Sequence, residues 1–208
     1  MDYAIPLPMF PLSTVVFPVT GVPLHVFEPR YKSLISDLSK GPPYFGVVLI
    51  TRGSEVGGGD TRSDVGTIAR ISEKAQLGDG RWLVLAVGEK RIRIRTWLPD
   101  DPYPLALVEE IADEAWGPES TGWVRSLEKK LRYCLLLHGE ISLSNSVSPN
   151  IVLSSDPVEA LWQMCALSPV SVLDQQRLLI ARDHHCRAVL LDKLLLEAIS
   201  LLEARLAL

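Results

Sequence analysis

Pro11, Pro18, Pro23 and Pro29 punctuate an otherwise apolar, β-rich run from Phe10 to Tyr31, with Gly21 between them. A proline offers no backbone N–H to a ladder, so it belongs at strand starts, edges and turns. This run therefore cannot be one long strand. It predicts short strands at Ile5–Phe10, Val15–Phe17 and Leu24–Phe27, then a helix with Pro29 at its favoured first position. Tyr31, Leu34, Ile35 and Leu38 follow at helical spacing and form one apolar face. Glu28 lies beside the helix start, where the dipole favours a carboxylate and free amides can donate to it. Arg30 is in reach to pair with it. No acid/base partner stands nearby, so Glu28 and Arg30 are expected to be a structural clasp between strand and helix.

Gly41-Pro42-Pro43 stops that helix, and Tyr44–Thr51 reads as a buried strand. Arg52–Asp64 carries Gly53, Gly57, Gly58 and Gly59 without the lysine and Ser/Thr of a phosphate-binding loop, which predicts a strand-connecting loop. Val65–Ser72 is the next strand, and Gly78-Asp79-Gly80 gives a hairpin turn. In Arg81–Val87 both faces are apolar, as in a doubly covered strand or a barrel wall. Gly88-Glu89 reads as a turn into Lys90–Leu98, where Arg91, Arg93 and Arg95 alternate with Ile92, Ile94 and Thr96. Leu105–Ile111 is a further strand. The three arginines suggest a phosphate-holding face. Glu109, Glu110, Asp100 and Asp101 close by, with no interleaved aromatics, favour instead a solvated face paired across strands.

From Ala112 the apolar period changes from two to 3.6. Asp113–Thr121 reads as a joint, and Trp123–Leu137 as a helix ended by His138-Gly139. Glu140–Ser155 is a connecting loop. Asp156 caps the next helix ahead of Pro157, and Ser171, with Asp174 three residues on, caps a short one reaching Ala181. The last helix, Asp183 to Leu206, carries a broad leucine stripe that other helices or a partner must cover. The expected fold is thus α+β: a β-rich pseudo-barrel over residues 1–112 with one inserted helix, followed by a helical bundle over 119–208.

The chain has 208 residues, 47% of them hydrophobic, and a net charge of −4, enough apolar material for a real core and too acidic for general nucleic-acid or anionic-membrane affinity. Its three cysteines, Cys134, Cys165 and Cys186, are odd in number and lie in predicted helices, which argues for reduced thiols and a cytoplasmic setting. The N-terminus lacks a basic region and an unbroken apolar run, so no signal peptide is expected. His184-His185-Cys186 are consecutive on a helix and point about 100° apart, which disfavours a shared metal ion. His25, in an apolar strand, reads as a satisfied or rim histidine. No Ser-His-Asp order or nucleophile elbow is present, and no cofactor is implied.

Ile5-Pro6-Leu7, Phe10-Pro11-Leu12, Val15-Val16-Phe17-Pro18 and above all Phe27-Glu28-Pro29-Arg30-Tyr31 resemble the N-terminal, substrate-binding domain of the Lon ATP-dependent protease, whose pattern carries a Phe-Glu-x-Arg-Tyr signature. The resemblance continues through Phe45–Ile50, Val65–Ala69 and Arg81–Gly88 and thins into the helical part. It implies a PUA-like β-barrel followed by helices, and a non-catalytic module, since the Walker motif and Ser-Lys dyad belong to later domains that this sequence does not reach. In the family this domain engages substrates for degradation. The resemblance thus implies binding of unfolded or degron-bearing polypeptides, as an adaptor, chaperone-like binder or regulator beside Lon or another protease. The candidate contacts are Phe10, Phe17, Val26, Phe27 and Tyr31. RNA or nucleotide binding through Arg91, Arg93 and Arg95 is the alternative, because PUA-type barrels occur in RNA-binding proteins.

Overall fold

A computed structural model of the chain describes residues 6–55, 59–113, 115–141 and 147–207. Ile5 of the first predicted strand, residues 56–58 and 142–146 of the two predicted loops, Glu114 of the joint and Leu208 lie outside the described residues. The chain divides into two compact units, Met1–Ala112 and Asp113–Leu208.

The first unit contains β1 (Pro6–Leu12), β2 (Gly21–Val26), α1 (Pro29–Leu38), β3 (Tyr44–Arg52), β4 (Thr61–Gln76), β5 (Trp82–Leu98) and β6 (Leu105–Glu110). The strand order is β2-β5-β4-β3-β1-β6, and β5 also pairs with β6. That last pairing closes five strands into a ring, with β2 attached outside it along the first half of β5. All pairs are antiparallel except β1 with β3, where Met9 lies opposite Gly46 and Leu12 opposite Leu49.

Period-two alternation explains why β1 is apolar on both sides. Met9 enters one buried cluster with Val48, Ile92 and Ala106. Phe10 and Leu12 enter the other, with Phe45, Val47, Val84, Ala86 and the α1 stripe of Tyr31, Leu34, Ile35 and Leu38. The Phe10 ring stacks on Tyr31 at 4.1 Å between centroids, joining sheet to helix.

Two expectations fail at one place. Val15–Phe17 forms no strand, and β5 runs straight through Gly88-Glu89 without a turn. The cause is a close crossing of backbones. A Cβ on Gly88 would lie 2.3 Å from the Phe17 carbonyl oxygen, so only glycine lets the Phe17–Val19 segment lie against β5. Pro18 bridges Gly88, the Val19 N–H donates to the Gly88 carbonyl at 2.7 Å, and the buried Thr67 hydroxyl donates to the Val16 carbonyl at 2.6 Å. β4 also reaches beyond the predicted Val65–Ser72, because β5 supplies a partner as far as Gln76, opposite Trp82.

The second unit contains α2 (Ser120–Ile141), α3 (Pro157–Leu167), α4 (Val172–Ile180) and α5 (His184–Leu206). Gly139 lies within α2, so the helix continues past its predicted stop. Asp156 accepts from the Val158 and Glu159 amides, both at 2.9 Å, and Ser171 accepts from the Asp174 amide at 3.1 Å, the caps expected from sequence. Leu127, Leu131 and Leu135 of α2 and Leu191, Leu194 and Leu195 of α5 are all buried. Among the described residues no helix is long and apolar enough to cross a membrane.

Candidate functional site

Val22, Leu24 and Val26 are buried while Gly21, Pro23 and His25 are exposed, the alternation of a strand with one covered face. β5 pairs with β2 on one edge, and no described strand pairs with it on the other. A cavity of about 300 Å³, at the small end of ligand-sized clefts, lies beside it. Every residue from Val22 to Phe27 lines this cavity. Consecutive residues point to opposite faces of a strand, so the cavity runs along the edge of β2 and not over one face. Phe10, Leu12, Thr14, Glu28, Tyr31 and Glu55 complete the lining.

Four of the five apolar contacts expected from sequence are core residues. Phe10 (7% exposed), Val26 (1%) and Tyr31 (4%) border the cavity from within the packed cluster, and Phe17 (1%) is buried away from it. Phe27 is 50% exposed at the rim. The correction has a simple origin: Phe10 and Tyr31 satisfy each other by stacking, and Phe17 sits where the chain crosses β5. Burial pushes the Tyr31 phenol up to about 12, so it stays protonated.

Glu28 is the residue before α1, but its side chain makes no capping hydrogen bond. It accepts from Arg30 Nε at 3.2 Å instead. Arg30 also donates to the Glu55 carbonyl at 3.1 Å and places its guanidinium 4.6 Å from the centre of the Tyr31 ring. The Glu55 carboxylate in turn accepts from the Ser13 amide and hydroxyl. The pair thus joins the entry of α1 to Glu55 and, through it, to the exit of β1.

Sequence reasoning missed the outer face of β2 and β5. Leu83 and Leu85 are 47% and 38% exposed and lie opposite His25 and Pro23. With both faces apolar, β5 reads as a doubly covered strand or a barrel wall; it is a wall of the ring, and its outer face carries Leu83 and Leu85 without full cover. The signal against cover was the polar or ring-constrained character of its cross-strand neighbours His25 and Pro23.

The three arginines do not form one open face. Arg91 is 1% exposed, buried after a register shift that leaves Glu89 out of the β4–β5 pairing. Arg95 pairs with Glu109, which also lies 4.0 Å from Arg93, and Lys90 pairs with Glu110 at 2.8 Å. These cross-strand pairs occupy the charges a phosphate would need.

His184, His185 and Cys186 diverge. His184 Nδ1 lies 2.9 Å from Nη1 of the buried Arg187, whose guanidinium also stacks on Trp162 and holds the Leu178 and Ala181 carbonyls. His185 packs edge-on against Trp123, and the Cys186 amide donates to Asp183. Among the described residues no group of three His, Cys, Asp or Glu side chains is placed to hold a metal ion.

Residues 6–197 match the model of the ATP-dependent protease La (LON) substrate-binding domain. The chain is 32% identical over 115 residues to a Lon protease of Flavobacterium johnsoniae, a match over 54% of this chain and 14% of that protein. It is 27% identical over 206 residues to a Lon protease of Syntrophomonas wolfei, covering 95% of this chain and 24% of the relative. The chain therefore spans less than a quarter of the length of these relatives. Among solved structures, it resembles a Lon N-terminal domain protein from Xanthomonas campestris (TM-score 0.64, 26% identity, 88% of this chain and 94% of that one). It shares its fold with the N-terminal domain of a Mycobacterium avium complex Lon protease (TM-score 0.66, 18% identity, 92% of this chain and 98% of that one).

Proposed function

Because the chain belongs to the ATP-dependent protease La (LON) substrate-binding domain family, we propose that it captures unfolded or degron-bearing polypeptides by docking their apolar side chains beside β2. It then serves as an adaptor or chaperone-like binder that hands clients to Lon or another protease. The observation that carries this reading is Phe27, a half-exposed aromatic at the rim of an apolar cavity whose other aromatics are fixed in the core. A rigid cavity with one exposed anchor recognises a side chain without reorganising its own packing.

The test is a binding titration with a permanently unfolded probe, reduced and carboxymethylated α-lactalbumin. Phe27→Ala is expected to weaken binding about tenfold or more, since burying a phenylalanine contributes about 1.5–3 kcal/mol. Its melting temperature should stay near that of the parent, because Phe27 lies outside the core. Phe17→Ala is the contrasting variant, expected to lose about 3–5 kcal/mol of stability through a core cavity. No binding of the unfolded probe by the parent chain, or equal binding by Phe27→Ala, would overturn the proposal.

A further inference from the structure

The backbone of β2 has one edge turned away from β5. The Gly88 amide donates to the Thr20 carbonyl at 3.0 Å, and the register from Gly21 opposite Val87 to Val26 opposite Trp82 continues without a shift. Backbone groups alternate sides along a strand. The Thr20 carbonyl and the backbone groups of Val22, Leu24 and Val26 therefore face β5, and Gly21, Pro23 and His25 direct theirs away. Pro23 has no N–H to lose there. The outward edge thus offers the Gly21 and His25 amides as donors and the Gly21, Pro23 and His25 carbonyls as acceptors, along the cavity that Val22 to Phe27 line. Among the described residues the lining contains the carboxylates Glu28 and Glu55 and no lysine or arginine, and Arg30 pairs with Glu28.

We propose that β2 accepts an extended client segment as an added strand, with a large apolar side chain in the cavity and a lysine or arginine beside Glu28 and Glu55. This rests on the polypeptide-binding reading above and deepens it. Main-chain hydrogen bonds supply sequence-tolerant affinity, and the cavity and its carboxylates supply the preference.

The probe is a fluorescein-labelled octapeptide of alternating leucine and threonine ending in two lysines, titrated against the full chain by anisotropy. Two counterparts carry N-methyl groups on one or the other alternate set of amides, and a third ends in two glutamates. One N-methylated set should weaken binding about tenfold or more and the other less than about threefold, because only one set faces the β2 edge. The glutamate-ended peptide should bind more weakly, with the difference shrinking as salt is raised. His25→Pro removes an outward amide without touching a β2–β5 hydrogen bond and should abolish binding, while His25→Ala, which keeps the amide, should bind.

Equal binding by both N-methylated peptides, or undiminished binding by His25→Pro, overturns strand addition. Failure of the lysine-ended octapeptide to bind does the same. If unfolded α-lactalbumin still binds in any of these cases, the polypeptide-binding reading stands. If it does not, that reading falls as well. Equal binding of lysine- and glutamate-ended peptides overturns the charge preference.

Discussion

Gly88 lies in the middle of a strand, with the Phe17 carbonyl where a β-carbon would be. Gly88→Ala must push that crossing away and break the hydrogen bonds of Val19 and Thr20 to residue 88. The expected loss is about 3 kcal/mol, near the upper end for single substitutions and read as a shift in the urea midpoint. A variant as stable as the parent would show that the crossing relaxes at no cost. From sequence this glycine looked like a turn, since a lone glycine between two apolar runs is punctuation far more often than a site of close approach. The same ambiguity hid the fate of the aromatics. Phe10, Phe17 and Phe27 sit in similar apolar, proline-flanked contexts, and only the tertiary partners decide which stays exposed: Tyr31 for Phe10, the β5 crossing for Phe17, and none of comparable cover for Phe27.

Helices were legible because their signals are local. The α1 stripe, the Asp156-Pro157 start and the Ser171–Asp174 cap are each decided within a few residues. Strand partners and cover are not local. The failed strand at Val15–Phe17 and the exposure of Leu83 and Leu85 both depended on what lay opposite. The cap of α5 yields a pH dependence with a definite sign. The Cys186 amide, and then Arg182, hold the Asp183 carboxyl well below its ordinary value. A depressed folded carboxyl contributes stability above the unfolded pKa of about 3.9 and loses it as pH falls through the folded value. Thermal melts of the parent between about pH 5 and about pH 2 should show declining stability, and Asp183→Asn, which keeps a capping oxygen but removes the charge, should flatten that slope while costing stability at neutral pH. An unchanged slope in the variant would remove Asp183 from the account.

At the scale of the molecule, the switch from period two to period 3.6 at Ala112 coincides with the end of the first compact unit. The groove, the clasp and the β2 edge all lie before that point. Residues 1–112 expressed alone are therefore expected to fold, with their own two buried clusters, and to bind the unfolded probe within about threefold of the full chain. A soluble, folded fragment without affinity would place recognition elsewhere. The open edge carries a hazard that its sequence answers. A strand edge with no partner among the described residues, beside an apolar cavity, invites a second copy of the same strand, and repeated pairing of that kind grows into aggregates. Pro23 sits at the centre of that edge and withholds a donor, so two β2 strands laid edge to edge would each face a gap where a hydrogen bond is due. A foreign segment can settle its register around one missing donor, whereas a pair of identical edges meets two. Replacing Pro23 would thus be felt first in the test tube as turbidity, before any change in what the protein recognises.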